Sequence, residues 1–478
     1  MQPTSLDFKS NAHRALGDPN LQRAMEMMRT GFPKNRAAAI ARLPEFEALR
    51  DEGVAIKNHV IAHLDFYLET FEQKVEAQGG KVHWCRNAQE ANETVLAICR
   101  RLEAKTVTKG KSMVGEEMAV NDFLLGHGIT PVETDLGEYI VQIRHETPSH
   151  IIAPAVHLVK EQVAESFRAT HKDLPANRKL EEPRVICDEA RSILRDKFLA
   201  ADVGITGANF LIAETGSSII VTNEGNGDLT QILPKAHIVL ASLEKIVPTL
   251  EDASTLLRLL ARSATGQEFS TYTTVSTGPR RADDNDGPGE YHVVLLDNGR
   301  SALLGGEFQD MLRCIRCAAC LNHCPVYGAI GGHAYGWVYS GPMGAVLTPT
   351  LIGIEEAGNL PNASTFCGRC EAVCPMRIPL PKMMRQWRER EFAQKLAPKT
   401  QRWGLALWAW LAQRPPLYRL ATAIASRVLA FFGGERGHFR SLPLASGWTD
   451  MRDMPAPEGK SFMALWAERQ KTAPRTPS

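Results

Sequence analysis

Of ten cysteines in the chain, seven fall between Cys314 and Cys374, in two blocks. The first block reads Cys314-x2-Cys317-x2-Cys320-x3-Cys324-Pro325, and the second Cys367-x2-Cys370-x3-Cys374-Pro375. The thiolate is the metal-binding form of cysteine, and the first spacing is that of the bacterial run that holds iron–sulfur cubanes. Two-residue gaps let three thiolates wrap three irons of one cubane. The three-residue gap swings the next thiolate onto the neighbouring cluster, and the Cys-Pro step turns the chain away. By this logic cluster 1 takes Cys314, Cys317, Cys320 and the crossing Cys374, and cluster 2 takes Cys367, Cys370 and the crossing Cys324. Ser364 stands three residues before Cys367, where the full motif has a cysteine. Cluster 2 is therefore one thiolate short. Three chemistries fit: a 3Fe–4S centre, a 4Fe–4S centre with Ser364 or another oxygen or nitrogen ligand, or a 4Fe–4S centre with an open iron for a substrate or partner group. Zinc wants four ligands per site and is poorly served by this spacing.

The other cysteines, Cys85, Cys99 and Cys187, lie in apolar contexts and read as small buried hydrophobes. A chain of 478 residues is no small secreted scaffold, so clustered thiols point to metal rather than disulfides. The opening MQPTSLDFKSNAHRAL has no apolar core and no small-residue cleavage site, so a signal peptide is not expected. No apolar run reaches the ~18 residues of a membrane-spanning helix. A cytoplasmic protein is expected. Net charge is +1, so no global basic field argues for a nucleic-acid partner.

The elements that must position these ligands divide the chain into four parts. Residues 1–105 read as mostly helical, with apolar residues at helical spacing over Met25–Met28, Arg36–Leu49 and Val54–Val75. Gly79-Gly80 then breaks the chain before a short strand at Lys81–Cys85. Over 106–300 short apolar runs alternate with helical stretches. Strands are expected at Thr106–Thr108, Tyr139–Ile143, Val203–Thr206, Phe210–Ala213, Ile219–Thr222, Ile238–Ala241, Phe269–Val275 and Tyr291–Leu296, with helices at Ala155–Thr170 and Pro183–Ala200. This alternation predicts a parallel or mixed sheet covered by helices. Gly278–Glu290 reads as a polar loop. Residues 301–395 carry the cysteines on helices and loops. Residues 396–478 form a basic, Trp-rich tail with helices at Trp403–Ala412 and Leu417–Phe432, split by Pro415-Pro416.

Outside the cysteines the signals are weaker. Gly207–Ser217 and Asn223–Gly227 place glycines and hydroxyls at strand ends, where an α/β sheet puts its ligand crevice. Glu214 and Glu224 are the acid/base candidates there, against the alternative of two tight glycine turns. Arg144-His145-Glu146-x3-His150-x6-His157 makes His145 a further catalytic candidate and the run a candidate metal or anion site. Histidines at such irregular spacing are more often structural. His59 and His63 suit a solvated helix face better than a metal site. Residues 376–440 hold 13 Lys/Arg against 3 Asp/Glu. With Trp403, Trp408, Trp410, Phe431 and Phe432 they suit a membrane surface or an acidic partner, against the plainer reading of a helical pair packing its aromatics on the ferredoxin module.

The segments MLRCIRCAACLNHCPVYGAIGGHAYGWVYSGPMGAVLTP, CGRCEAVCPMRIPLP, RHETPSHIIAP and AETGSSIIVTNEGN resemble the lactate utilization protein B family of iron–sulfur electron-transport proteins, over about residues 15–470. The resemblance implies an α/β lactate-utilization domain with a mixed sheet like that of the isomerase/CoA-transferase group. It further implies a two-cluster ferredoxin module and a family-specific C-terminal region. The 42 residues between Cys324 and Cys367 suit an all-α module similar to that of succinate dehydrogenase-type subunits. The family's ligands fall on the seven cysteines, and the missing eighth belongs to the family pattern. Its members carry electrons in NAD-independent oxidation of L-lactate to pyruvate, beside a Cys-rich A-type subunit and a C-type subunit that also has the lactate-utilization domain.

No flavin or nicotinamide fingerprint is visible. The two-electron step is then expected in another subunit, and two adjacent clusters read as a relay. The competing reading is an enzyme that binds a small carboxylic acid in its α/β domain or at an open iron of cluster 2.

Overall fold

The strands of the larger part of the chain are short; the central ones, such as Val203–Gly207 and Ala236–Ser242, are buried throughout, as in a sheet covered on both faces, while the edge strands Lys81–Cys85 and Tyr272–Ser276 are partly exposed. β1 (Lys81–Cys85), β2 (Thr106–Gly110), β3 (Thr130–Glu133), β4 (Val203–Gly207), β5 (Phe210–Ile212), β6 (Ser217–Thr222), β7 (Ala236–Ser242), β8 (Ile246–Val247), β9 (Tyr272–Ser276) and β10 (Glu290–Leu296) form two sheets. The first has the order β1-β10-β7-β4-β2-β3 and is parallel throughout. The second, β8-β5-β6-β9, mixes one parallel with two antiparallel pairings. The chain steps outward from β2 to β3, then returns to lay β4 on the other side of β2. The strand order therefore reverses between β2 and β4, the place where open α/β sheets form their ligand crevice. The computed structural model describes residues 3–442, 446–449 and 452–472, in two compact units, Met1–Glu391 and Phe392–Ser478.

Helices cover the parallel sheet by burying one stripe each. Ala88–Arg101 is capped by Asn87, whose side chain accepts the Glu90 N–H, and buries Val95, Leu96 and Cys99 against the sheet. Pro183–Ala200 begins with Pro at its first turn and buries Ile186, Ala190, Leu194 and Phe198. Cys187 lies one residue off that stripe and is exposed, which corrects its expected burial; Cys85 and Cys99 are buried.

The expected strand at Tyr139–Ile143 is instead the end of a helix, Leu136–Ile143. Asp135 decides it: its carboxylate accepts the N–H groups of Gly137 and Glu138 and caps the first turn. The strand of this region is β3, one turn earlier, where Pro131 is tolerated because β3 is an edge. The expected helix at Ala155–Thr170 begins only at Lys160. The long N-terminal stretches break at Arg42–Glu45 and His63 into Pro19–Ala41, Phe46–Ala62 and Leu64–Ala77.

The first two of those helices join the core of the cysteine region. Met25, Met28, Phe46 and Leu49 pack in one apolar cluster with Leu312, Ile315, Tyr335, Met383 and Trp387. Polar ties follow the same seam. The Gln22 amide donates to the Ala329 carbonyl at 2.8 Å, and the Thr4 N–H to Gly336 at 2.7 Å. Every regular element from Ser301 to Ala393 is helical.

The second unit has helices Lys399–Ala412 and Pro415–Gly433, an antiparallel pair β11 (His438–Phe439) and β12 (Met454–Pro455), and a helix Phe462–Thr472. Lys399–Ala412 buries none of its residues. No helix among the described residues is long and apolar enough to cross a membrane.

Candidate metal centre

The two cysteine blocks fold as the same loop twice. In the first, Arg316 (φ +59°) and Ala318 (φ +61°) are left-handed, and a single helical turn, Ala319–Asn322, carries Cys320. In the second, Phe366 (φ +55°) and Gly368 (φ +77°) are left-handed, and Arg369–Ala372 carries Cys370. Non-glycine residues rarely adopt this conformation, which costs about 1 kcal/mol or more each. The strain bends the loop so that successive thiols turn to one centre. After the turns, Cys324 accepts the Tyr327 N–H at 3.4 Å and Cys374 the Ile378 N–H at 3.5 Å. By this superposition Cys317 matches Cys367, Cys320 matches Cys370 and Cys324 matches Cys374. Ser364 then occupies the place of Cys314. Its hydroxyl accepts the Phe366 N–H at 3.1 Å.

The seven thiols gather in two sets. Cys314, Cys317, Cys320 and Cys374 line one small cavity, walled by Ile315, Met343, Met376 and Leu380. Cys324, Cys367 and Cys370 lie within electrostatic reach of one another. Cys320 and Cys370 link the two sets. Burial pushes the thiols of Cys317, Cys320 and Cys324 up, Cys374 to about 11 and Cys370 to about 12. Cys367 is exposed, and hydrogen bonds from the Arg369 N–H and the Thr365 hydroxyl hold its thiol below the usual value. Ligation by iron would replace these protons.

The first set sits among buried cations. Arg36 donates to the Val373 carbonyl at 2.9 Å, and Arg50 to the Cys374 carbonyl at 2.6 Å. Lys57, 1% exposed, donates to the carbonyls of Glu244 and Ile246. Burial lowers its pKa to about 8. Lys57, Lys245 and Arg316 all lie within electrostatic reach of Cys314. Cations in a dry site are costly unless compensated. A thiolate-bound iron–sulfur cluster carries net negative charge and compensates them. The donor set, the strained loops and this positive surround all fit such a cluster.

Arg316 also ties the cysteine loop to the α/β part. Its guanidinium donates to Glu244 at 2.9 Å and stacks on Tyr339, 5.2 Å from the ring centroid. Arg300 bridges Glu244 and Glu117, donating to Glu117 at 2.6 and 2.9 Å. Tyr339 donates to Glu117 at 2.6 Å. The Arg300 and Arg316 guanidiniums hold Glu244 down to about 2 against its burial.

A cavity of about 170 Å³ opens at the C-terminal ends of β2, β4 and β7, at the switch point. Its polar wall includes Lys111, Asp135, Glu138, Asn209, Lys245 and Arg316. Gly207 lets β4 close there, since a Cβ would lie 2.4 Å from the Lys111 carbonyl. Lys245 and Arg316 carried no sequence signal. Each becomes conspicuous only through what folds around it.

The remaining sequence candidates are dispersed. Glu214 is exposed and accepts the Leu250 N–H at 2.8 Å, at the start of a helix. Glu224 is exposed and pairs with Lys111 at 3.6 Å. Gly216 and Gly225 are left-handed, as tight turns require. His145 (φ +55°) lines a different cavity, beside Glu116 and Glu138. His150 is buried, bonded to Asn322 at 3.0 Å, and held neutral by burial with a pKa of about 4. Ligand atoms of Glu146, His157 and His333 lie within 4.8 Å of one another. Glu146 is already paired with Arg144 and His157, and His333 with the Thr147 carbonyl. His59 is exposed and bonded to the Tyr67 hydroxyl at 2.8 Å.

Comparison with known proteins follows the same outline. Residues 68–296 match the LUD domain, 310–378 a 4Fe-4S dicluster domain, and 369–471 the lactate utilisation protein B C-terminal region. Fold and site thus define an iron–sulfur protein with an LUD domain ahead of a dicluster domain. The chain is 40% identical over 470 residues to lactate utilization protein B of Oceanobacillus iheyensis, covering 98% of this chain and 97% of that one. It is 42% identical to the protein of that name from Shouchella clausii, covering 97% of each. To that of Geobacillus thermodenitrificans it is 44% identical, covering 91% of each. The chain belongs to the lactate utilization protein B family, and it carries two iron–sulfur clusters. The solved structure of a DUF162 family protein from Deinococcus radiodurans aligns with 49% of this chain at 15% identity and a TM-score of 0.25.

Proposed function

We propose that the protein is the electron-transfer subunit of a complex that oxidises L-lactate to pyruvate, working beside a Cys-rich A-type subunit and a C-type subunit with its own LUD domain. Cys314, Cys317, Cys320 and Cys374 hold cluster 1. Cys324, Cys367 and Cys370 hold cluster 2, with Ser364 at the position of the missing thiolate. The domains are 1–105 and 106–300 for the lactate-utilization part, 301–395 for the cluster module and 396–478 for the tail. When bound, each cluster takes up and releases single electrons.

One observation supports the relay most strongly: the two cysteine sets adjoin but differ in exposure. The first is enclosed among Arg36, Arg50, Lys57 and Arg316, while Cys367 of the second reaches solvent. The enclosing residues exclude water and hold positive charge. The exposed loop Thr365–Cys367 offers a partner close approach.

The test is dye reduction by L-lactate with the reconstituted chain alone and with the three-subunit mixture. Reduction by the mixture only is expected. Reduction by the chain alone would defeat the carrier reading.

A further inference from the structure

The helix Pro415–Gly433 is packed inside out. Its large apolar residues Leu417, Leu420, Ile424, Val428 and Phe431 recur at helical spacing on one stripe, and all five are exposed, Phe431 by 81%. The residues it buries are Ser426 and Gly433. Thr422 and Ala423, on the side of Ser426, are half-buried. A surface helix ordinarily turns its apolar stripe inward, because removing that stripe from water is what stabilises it. Here the small and polar side packs, and the apolar side is left in water. The preceding helix, Lys399–Ala412, packs against it and repeats the pattern. Its Trp403, Leu407 and Trp410, at i, i+4 and i+7, are all exposed, Trp403 by 76%. Contiguous exposed apolar surface marks a place of contact.

Charge limits what covers this face. From Phe392 to Gly434 the sequence has no Asp or Glu, and it has six cations, Lys395, Lys399, Arg402, Arg414, Arg419 and Arg427. Among the described residues none of the six pairs with a carboxylate. Lys399 stands one turn before Trp403, and Arg427 sits at the edge of the stripe between Ile424 and Phe431. Arg414 lies over the Trp410 ring, 4.3 Å from its centroid. Cations therefore flank the apolar residues. A second copy of this face would bring like charges together, so self-association fits poorly. The complementary surface is negative at its edge and apolar just beneath, which is the layering of anionic headgroups over acyl chains. Indole rings favour that boundary, and long Lys and Arg stems reach the phosphates while their alkyl parts stay with the apolar layer. From Leu417 to Phe431 the stripe runs about 20 Å along the helix at ~1.5 Å per residue. It suits a helix lying on a bilayer, since no described helix is long and apolar enough to cross one.

We propose that the helices Lys399–Ala412 and Pro415–Gly433 lie in the plane of a bilayer with anionic headgroups, the exposed apolar stripe in the acyl boundary and the flanking cations at the phosphates. The inference goes beyond the relay role and does not rest on it, because binding a bilayer needs no electron transfer. Two contributions act together. Burial of the stripe supplies a part that salt does not screen, and the cations supply a part that needs anionic lipid and weakens as salt shortens the Debye length.

The test is flotation of the reconstituted, cluster-loaded full chain with vesicles of phosphatidylcholine alone and of phosphatidylcholine mixed with phosphatidylglycerol. Binding to the mixed vesicles is expected to be at least about tenfold tighter than to phosphatidylcholine alone, and to weaken several-fold as salt rises from about 0.05 to about 0.5 M. Ile424→Ser with Phe431→Ser, both at exposed positions, should weaken it at least about tenfold with iron content unchanged. Arg419→Gln with Arg427→Gln should weaken it by a smaller factor. Phe66→Ser, at an exposed position in the other unit, should bind like the parent. Trp403→Ser with Trp410→Ser decides the matter if the first pair loses iron. The proposal is overturned if the chain does not float with the mixed vesicles, if it floats equally with phosphatidylcholine alone, or if an iron-replete apolar pair binds like the parent, which would leave charge adsorption only. It is also overturned if sedimentation velocity shows these residues joining two copies of the chain, or the chain to an A-type or C-type subunit, while vesicles are ignored. Dye turnover measures the relay role and flotation measures this face, so either can fail alone.

Discussion

The two cysteine sets are built on one loop design and sit in opposite surroundings. Arg316 and Phe366 are both left-handed and hold equivalent places, yet Arg316 turns inward to pair with Glu244 while Phe366 faces solvent under Arg388, 4.1 Å from its ring centroid. The first set has four thiols, a ring of buried cations and a shared wall with the α/β cavity. The second has three thiols, Ser364 and an exposed Cys367. The same backbone therefore serves an interior end and a surface end. What differs is what packs on it: the N-terminal helices and the β7 end enclose the first set and leave the second open.

The largest expected effect tests how the thiols are shared. Cys374→Ser lies in the second block but should strip cluster 1, as Cys314→Ser does, with a loss of about four irons per chain and no lactate-dependent electron flow. Iron analysis and EPR read this directly. Loss of cluster 2 instead would break the crossed assignment.

Acid should reach the interior end through Glu244. Its folded pKa of about 2 lies below the ordinary 4.5, so its contribution is present above pH ~4.5 and is lost as pH falls toward 2, by about 3 kcal/mol in all. Denaturation followed between pH 5 and 2 should show a steeper loss for the parent than for Glu244→Gln. An identical pH slope would remove Glu244 from the tie between the parts.

Arg50→Met leaves the Cys374 and Ala372 carbonyls without their guanidinium. A stability loss of about 1–3 kcal/mol is expected, and a lower midpoint potential for cluster 1 with cluster 2 unchanged. Thermal unfolding and a redox titration check the pair.

The smallest effects belong to the open end. Ferricyanide with a chelator should bleach cluster 2 before cluster 1, since Cys367 meets solvent. Ser364→Cys should complete the motif. Parent iron near seven per chain, with an EPR signal in the oxidised protein, would mark a 3Fe–4S centre that the variant raises to about eight. Parent iron already near eight would mark a cubane with a non-cysteine ligand or an open iron.

Much of this was legible in the residues because it is local. Ligand spacing, the Cys-Pro turns and the vacancy at Ser364 need only chain geometry. The β-branched runs at Val203–Thr206 and Ile238–Ala241 are strands wherever they are placed. Tyr139–Ile143 misled because an apolar run alone does not separate strand from helix; a carboxylate at Asp135 decided it. Cys187 misled because one position along a helix is the difference between stripe and solvent.

The sequence by itself determined the kind of metal, the number of thiols and the alternation that makes an α/β sheet, because each rests on spacings of a few residues. Only the tertiary structure decided which end is buried, which helices enclose it, and that Lys245 and Arg316 meet in one cavity wall. Those facts depend on residues 50, 245, 316 and 374 meeting in space. An amphipathic stripe or a single lysine does not name the surface it will face. Burial is what turns an ordinary charge into a site, and burial belongs to the folded chain.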